Sequence, residues 1–409
     1  MNLRSVLATA LALSVVLPIH VRGQQTRALD DAFVEALEWR SVGPANMSGR
    51  ITDVEGLPGP SKTFYVAAAS GGIWKTTNNG TTFRPIFDDQ RVVSMGDLAI
   101  APSDPTQIWA GTGEEDSRNS ISPGGGVYKS TDGGQSWRLM GLEATEHIGR
   151  IQVHPSDPDI VFVAALGALW RTNPERGLYR TTDGGETWQQ VLFVSERAGF
   201  VDVKFHPRDP SILFATSWER QRGPYYLESG GPGSALWKSA DGGDTWERVE
   251  GGGLPETTLG KMNVAFAPSY PRVMYLMVEA AAPEGSDEEN LNGLYRSDDG
   301  GESWRRMNDF NTRPFYYSEV VADPADPDRV YFSSLRFSED GGESTREMAR
   351  AVHVDFHAIW VDPNDPDRIV LGNDGGIVVS FDRGGNYWFP NIIPLGQFYN
   401  VSYGMEVPY

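Results

Sequence analysis

The sequence predicts an all-β protein built from seven copies of one four-stranded antiparallel unit. Two repeated motifs support this prediction: an acidic Asp-x-Gly hairpin motif and a Pro-x-Asp-Pro turn that precedes it. Self-similarity at a regular spacing is the main sequence signature of repeat architectures. The 409 residues include 12 Trp, which indicates a large ordered core. Seven such units are typical of a seven-bladed β-propeller, or of part of a larger one.

The acidic motif reads Ser/Thr-x-Asp-x-Gly-x-Thr/Ser-Trp in its fullest copies, such as "STDGGQSW" and "TTDGGETW". Its repeated position falls at Asn78, Asp132, Asp183, Asp241, Asp299, Asp340 and Asp382. The glycines permit the positive φ of a tight hairpin, and the carboxylate is suited to accept N–H groups of that turn. We therefore expect a structural hairpin between the third and fourth strands of each unit. Asn78 and Thr345, which replace Asp and Trp, predict that the first and sixth units are the least regular.

The Asp-Pro motif precedes an alternating strand in most units, as in "HPSDPDIVFVAA" and "DPNDPDRIVLGN". Proline presets the backbone for a turn and does not fit inside a central strand, so the motif predicts a turn between the first two strands. Both turn types then fall on one face of the propeller. The longer loops fall on the other face, which we call the loop face.

Both ends of the chain differ from the repeats. Residues 1–23 combine Arg4, an apolar run and a small-residue end at Gly23, which predicts a signal peptide and export to the periplasm, cell surface or medium; a membrane anchor is the alternative. Residues 24–37 form a lead-in and 38–393 the propeller. Residues 394–409 predict the start of a further blade or a closing strand. "EWRSV" (38–42) resembles a fourth strand and "QFYNVSY" (397–403) resembles a first strand. Either these two segments pair in a closing blade, or the protein continues beyond residue 409. Continuation is favoured, because an open sheet edge is prone to aggregation.

Composition excludes several functions. With 35 basic and 55 acidic residues, the formal charge of −20 predicts that nucleic acid is not a partner, because that binding depends on neutralising phosphates. The chain has no cysteine, which rules out disulfides, thiol catalysis and cysteine-held metals. We expect no cofactor.

Recognition is expected on the loop face, because irregular loops on a rigid scaffold usually carry binding. The loop at 217–234 contains an aromatic and arginine cluster suited to stacking on sugars or to a peptide hot spot. Its members are Trp218, Arg220, Arg222, Tyr225 and Tyr226. The alternative is that this loop packs on its own body.

Two polar groups are further candidates. "SGRI" and "IGRI" predict Arg50 and Arg150 at matching points of inner strands, where they either bind a ligand carboxylate in the central channel or pair with neighbouring acids. "HVDFH" predicts His353, Asp355 and His357 on one strand face, because strand side chains alternate. These are metal-ligating types, but a polar network at the inner rim is favoured and no metal is predicted.

The acidic motif matches the Asp-box, or BNR, repeat. Together with "WRSVGPANMSGRI", "FHAIWVDPNDP" and "GNDGGI", it resembles the Asp-box propellers of the sortilin/Vps10 superfamily. The closer resemblance is to large exported bacterial proteins labelled as glycosyl hydrolases or as sortilin N-terminal domain-like. That superfamily also holds two-propeller xyloglucanases, sialidases and photosystem assembly factors, so the fold does not decide the function.

The resemblance implies specific catalytic residues if this chain is a glycosidase. Xyloglucanase-like enzymes use paired carboxylates, and one lies just before a Gly-Gly of the first blade, where this chain has Ala69 in "AAASGG". Glu114, Glu115 and Asp116 remain as candidate catalytic acids, with a solvated acidic loop as the alternative. The leading hypothesis is recognition of a peptide or glycan through the loop face. The second is hydrolysis of a polysaccharide by an enzyme of the two-propeller type.

Overall fold

The computed structural model describes residues 48–287, 289–332, 335–349, 352–396, 400 and 402. The chain divides into residues 1–42 and 43–409, and all described residues belong to the second unit. The predicted signal peptide at 1–23, the lead-in at 24–37 and the strand at 38–42 lie outside the described residues. So does most of the predicted strand at 397–403.

Each acidic motif and each Asp-Pro turn lies between short strands, and the strands form seven antiparallel sheets. The first sheet contains β1 (Ile51–Gly56), β2 (Phe64–Ala68), β3 (Gly72–Thr76) and β4 (Arg84–Pro85), and the second contains β5 (Met95–Ile100), β6 (Ile108–Thr112), β7 (Val127–Ser130) and β8 (Arg138–Leu139). The third sheet contains β9 (Ile148–Val153), β10 (Val161–Ala165), β11 (Gly177–Thr181) and β12 (Gln189–Leu192). The fourth sheet contains β13 (Ala198–His206), β14 (Asp209–Gly223), β15 (Tyr226–Ser229), β16 (Ala235–Ser239) and β17 (Glu247–Val249).

The fifth sheet contains β18 (Leu259–Phe266), β19 (Met274–Ala280), β20 (Gly293–Ser297) and β21 (Arg305–Asn308). The sixth sheet contains β22 (Val320–Ala322), β23 (Val330–Phe332), β24 (Arg336–Ser338) and β25 (Arg346–Glu347). The seventh sheet contains β26 (Phe356–Val361), β27 (Ile369–Asn373) and β28 (Gly376–Ser380). A 3-10 helix spans Glu143–Thr145 and an α-helix spans Pro314–Tyr317. Within the described ranges, no helix has the length and apolar character needed to cross a membrane.

These sheets are the blades of a seven-bladed β-propeller, which confirms the predicted fold class. The ring closes directly between the first and seventh blades. Ile51 of the first blade shares an apolar cluster with Ala358 and Val370 of the seventh. The Gly59 N–H also donates to both carboxylate oxygens of Asp362, at 3.1 and 3.0 Å.

Asp183 shows why the acidic motif forms a hairpin. Its carboxylate accepts the N–H of Thr187 at 2.9 Å and the hydroxyl of Thr187 at 2.6 Å. These bonds, with one from the Thr181 hydroxyl, lower the pKa of Asp183 to about 2. The neighbouring Gly184 N–H donates to the carbonyl of Asp159 in the Asp-Pro turn at 3.0 Å. Both turns therefore lie on the same face, opposite the loop face.

The motif tryptophans and the cations of the third strands join successive blades. Trp188 of the third blade donates its indole N–H to the carbonyl of Met140 of the second at 2.7 Å. Lys75 of the first blade donates to the carbonyl of Gly133 in the acidic turn of the second at 2.8 Å. Such contacts, with apolar clusters between the sheets, hold the ring together.

The prediction that the first and sixth blades are the least regular was wrong, because both have four strands. Within the described residues the seventh blade has three strands, β26 to β28, and a single bridge between Val379 and Trp388 where the other blades have a fourth strand. Pro390 follows two residues later and has no N–H to continue the ladder.

Candidate functional site

The inner strands place charged side chains around the propeller axis through a repeated β-bulge. In β1 the register shifts between Ile51 and Asp53, and in β9 it shifts between Ile148 and Arg150. Asp53 and Arg150 therefore occupy equivalent positions. The prediction that Arg50 and Arg150 lie at matching points was wrong, because Arg50 lies three residues before Asp53, the position that is equivalent to Arg150.

Arg150 pairs with protein carboxylates on the axis. It contacts Asp97 at 2.8 Å, Glu319 at 2.9 Å and Asp202 at 3.3 Å, and its side chain is 14% exposed. Three carboxylates from three other blades thus surround one guanidinium group. This supports the interpretation in which Arg150 pairs with neighbouring acids.

Arg50 occupies a second ionic layer closer to the loop face. It pairs with Glu114, Asp116 and Asp374, and the Asp116 contact measures 2.9 Å. It also donates to the hydroxyl of Tyr316 at 2.5 Å. Only 6% of its side chain is exposed, so Arg50 is not open to a ligand carboxylate either.

The acidic loop after β6 turns inward and is not solvated. The ammonium of Lys261 contacts Glu115 at 2.8 Å and Asp116 at 3.2 Å, and the side chains of Glu114 and Asp116 are 1% and 4% exposed. Burial raises the pKa of Glu115 to about 7. Burial also opposes ionisation of Asp116, but Lys261 and His357 hold the pKa of Asp116 well below its usual range. These acids act as buried ion-pair partners, which disfavours both the catalytic and the solvated-loop expectation.

His357 links the two candidate motifs of the seventh blade. Its Nδ1 contacts Asp116 at 3.0 Å and its Nε2 contacts Asp374 at 2.9 Å. Because β26 begins at Phe356, His353 and Asp355 precede the strand, so the predicted row of three on one strand face is wrong. Asp355 instead accepts a hydrogen bond from Tyr317. No group of His, Cys, Asp or Glu in the described ranges is placed to hold a metal ion.

A cavity of about 190 Å³ lies along the axis. Its walls include Asp53, Glu55, Asp97 and Arg150. Burial, followed by the repulsion between these acids, raises the pKa of Asp53 to about 7 and that of Glu55 to about 8.

An open pocket of about 620 Å³ lies on the loop face, and we call it the mouth pocket. Three segments form it: the loop after β6, the β14–β15 hairpin, and the short helix with the residue before it. Its lining residues are Ser117, Arg118, Asn119, Arg222, Leu227, Ser229, Arg313, Phe315 and Tyr316. Arg313 has a left-handed backbone with φ of 58°. Its guanidinium lies 4.8 Å from the ring centre of Tyr316.

The structure divides the predicted aromatic and arginine cluster. Trp218 and Arg220 are buried, at 0% and 1% exposure, so these two are unavailable to a ligand. Arg220 stacks on Trp218 and donates to the hydroxyl of Ser117, which supports the acidic loop from below. Arg222 lines the mouth pocket, on the same side of the hairpin as Arg220.

The two tyrosines of that cluster lie elsewhere on the hairpin. Tyr225 is at its tip and is 98% exposed. Tyr226 pairs with Gly223 in the ladder, one position away from the pair Arg222 and Leu227. Its side chain therefore projects from the face opposite the mouth pocket and is 48% exposed.

Ala69 is buried and lines a smaller pocket of about 100 Å³ beside Arg50 and Arg118. A methyl group stands where the xyloglucanase-like resemblance implies a carboxylate. The other residues lining this pocket include no acid.

Sequence reasoning missed Arg118, Arg313, Phe315 and Tyr316 as members of this site. The signal available for the last three was the unusual "NTRPFYY" stretch between the fifth and sixth blades. It combines a cation, a proline and three adjacent aromatic residues in a connection between blades.

The comparisons with known proteins agree with this architecture. The Sortilin-Vps10 family, described as "Sortilin, neurotensin receptor 3", matches residues 125–253. The chain is similar to the sortilin-type propellers. A probable oligoxyloglucan-reducing end-specific xyloglucanase from Neosartorya fischeri is 26% identical over 230 residues, covering 53% of this chain and 25% of that protein.

Two solved structures share the fold. The GH74 xyloglucanase from Xanthomonas campestris superposes with a TM-score of 0.64 at 16% identity, covering 87% of this chain and 56% of that one. A YCF48 structure bound to D1 peptide superposes with a TM-score of 0.52 at 16% identity, covering 85% and 98%. This sortilin-like propeller therefore matches about a quarter of the xyloglucanase sequence and about half of the xyloglucanase structure.

Proposed function

We propose that this propeller recognises a glycan through the mouth pocket and the loops around it. The observation that carries the proposal is an open pocket of about 620 Å³, lined by guanidinium, amide and aromatic groups, on the irregular face. Its volume falls within the range of about 300–1,000 Å³ that is usual for small-molecule sites. A concave site with a few polar groups and aromatic walls suits a ligand that has both hydroxyl groups and apolar ring faces.

The comparisons support a carbohydrate as the ligand class, since several relatives of this chain are named as xyloglucanases. A peptide is the alternative ligand, and the YCF48 structure bound to D1 peptide supports it. Two exposed aromatic side chains on the loop face favour the glycan. Tyr225 is 98% exposed and Trp170 is 45% exposed, and both present flat rings to solvent.

Hydrolysis is the second candidate, and the names of the same relatives support it. Glycosidases of the usual kinds need two carboxylates flanking the bond, about 5 to 10 Å apart. Glu114 and Asp116 are both held by Arg50, and Ala69 carries no carboxylate. Recognition without hydrolysis by these residues is therefore the better-supported function.

We further propose that the protein works outside the cytoplasm. The sequence pattern of residues 1–23 supports this proposal.

Retention on immobilised xyloglucan and on a panel of other plant and bacterial polysaccharides tests the proposal. Tyr225→Ala and Trp170→Ala should reduce retention. Tyr270→Ala is the matched control, because Tyr270 is 50% exposed but lies in the Asp-Pro turn of the opposite face. Equal retention of Tyr225→Ala, Trp170→Ala and Tyr270→Ala would remove the loop face as the binding surface.

The same samples test hydrolysis through reducing-sugar release. We expect none from the wild-type protein. Release that persists in Glu114→Gln and Asp116→Asn would show that other residues hydrolyse the substrate, and release lost in both folded variants would restore these acids as catalysts.

A further inference from the structure

Three arginines converge on the mouth pocket from three distant segments of an acidic chain. Arg118 comes from the second blade, Arg222 from the fourth and Arg313 from the connection between the fifth and sixth. We propose that the mouth pocket binds an acidic glycan, with the carboxylate of a uronic sugar on Arg118 and Arg313. This inference rests on the proposed function and names the class of glycan.

The first argument is the positive charge that the protein leaves unpaired at the pocket. Arg118 has one carboxylate neighbour, Glu114, at 3.5 Å, and Glu114 is shared with Arg50. Arg222 donates to two neutral acceptors, the carbonyl of Ser117 and the side chain of Asn119.

Arg313 is exposed and has no ion pair with any residue that the structure describes. Burial raises the pKa of Asp355, and the charge of Arg313 opposes part of that rise. Among the described residues, the three guanidinium groups thus have one carboxylate within ion-pair distance, whereas Arg50 and Arg150 on the axis each pair with three. An anionic ligand would complete the pairing at the mouth.

The second argument is that these groups are held in place before a ligand arrives. Arg222 is fixed by its two hydrogen bonds, one to the carbonyl of Ser117 at 2.6 Å and one to the side chain of Asn119. Arg313 keeps a left-handed backbone, which is uncommon for residues other than glycine and is often found at functional sites. Its guanidinium stacks on Tyr316 and Tyr317, at 4.8 and 5.5 Å from the ring centres. A preorganised planar guanidinium matches a carboxylate with two parallel hydrogen bonds.

The third argument concerns the rest of the ligand. Phe315 is half-buried and lines the same pocket, and Tyr225 stands exposed at the tip of the hairpin that supplies Arg222. A uronic sugar offers a carboxylate and an apolar ring face together. An acidic peptide side chain offers the carboxylate without a ring face, so the combination favours the glycan.

Isothermal titration of the full chain tests the inference with three probes: trigalacturonate, a neutral xyloglucan oligosaccharide and a hexaglutamate peptide. Trigalacturonate should bind most tightly, and its affinity should fall as ionic strength rises, because exposed charges are screened. Arg313→Gln and Arg118→Gln should each weaken it by about tenfold or more, as expected for a lost charge-assisted hydrogen bond.

Arg138→Gln is the matched control, since Arg138 is 63% exposed on the fourth strand of the second blade and pairs with Glu186. Its affinity should equal that of the wild type. Arg313→Lys keeps the charge without the planar fork, so intermediate binding would assign the loss to geometry. Melting temperatures of all variants separate lost binding from lost folding.

The remaining outcomes distinguish the two proposals. Tighter binding of the neutral oligosaccharide would overturn the acidic-glycan inference and leave glycan recognition in place. Tighter binding of hexaglutamate, weakened by Arg313→Gln, would make the pocket a peptide site and overturn both. Binding of trigalacturonate that Arg313→Gln and Arg138→Gln affect equally would overturn the assignment to the mouth pocket. No binding of any probe would contradict both proposals.

Discussion

The variant Arg50→Met tests the role of the ionic layer beneath the loop face. It removes the cation shared by Glu114, Asp116 and Asp374 while keeping an unbranched side chain of similar length. Because Glu114 and Asp116 are 1% and 4% exposed, water cannot replace the lost partner. Breaking a buried pair from one side costs about 3–5 kcal/mol, since a charge is left buried and uncompensated.

The assay is thermal and chemical unfolding beside the control Arg138→Met. Arg138 and Glu186 are 63% and 61% exposed, and such surface pairs contribute about 0–1 kcal/mol. Arg50→Met should therefore unfold at a clearly lower temperature and denaturant concentration than Arg138→Met. Equal unfolding of the two variants would refute the view that the axial ion pairs stabilise the fold.

The same variant has a predicted pH dependence. Burial raises the pKa of Glu114, and Arg50 opposes that rise, so removing Arg50 should raise this pKa further. When folding raises the pKa of a carboxyl group, the protein loses stability as the pH rises from the unfolded-state pKa to the folded-state pKa of that group. The difference in stability between wild type and Arg50→Met should therefore be larger at neutral pH than at pH 4. A difference independent of pH would contradict the electrostatic explanation.

Two further predictions concern the inner strands. Gly96→Ala should prevent accumulation of folded protein, because the added Cβ would collide with the backbone carbonyls of Ile148 and Gly113. Soluble yield and circular dichroism measure this effect. A variant that melts at the wild-type temperature would contradict the prediction. Burial and the charge of Asp97 raise the pKa of Glu55 from 4.5 to about 8, so the wild-type protein should lose stability as the pH rises from about 4.5 to about 8. Glu55→Gln should abolish this loss, because the amide does not ionise. Unfolding curves across that range check the sign, and an unchanged slope would refute it.

The fold could be predicted because its determinants are local. The acidic turn at Asp183 is complete within seven residues, from Thr181 to Thr187, and it recurs in every blade. Turn chemistry of this kind is visible in the sequence, and its repetition gives the number of blades. Among the described residues the seventh blade has a single bridge in place of its fourth strand, which the repeat pattern alone did not show.

The site could be predicted only in part because its contacts are distant in sequence. Arg50 meets Asp374 across 324 positions, and no local spacing encodes such a pair. The two inner strands also begin at different points of the shared motif text: β1 begins after Arg50, whereas β9 contains Arg150, so the two arginines are not equivalent. Trp218 lies in β14 and packs against Leu166 and Val201, a burial that the local sequence, interpreted as a loop, did not show.

Hydrogen–deuterium exchange with and without trigalacturonate or xyloglucan oligosaccharide tests the central claim most directly, because it locates binding without mutation. We predict slower exchange in peptides covering residues 117–119, 222–229 and 313–316 when the bound glycan is present. Exchange that slows only in the acidic and Asp-Pro turns of the opposite face, or that does not change at all, would contradict recognition through the mouth pocket.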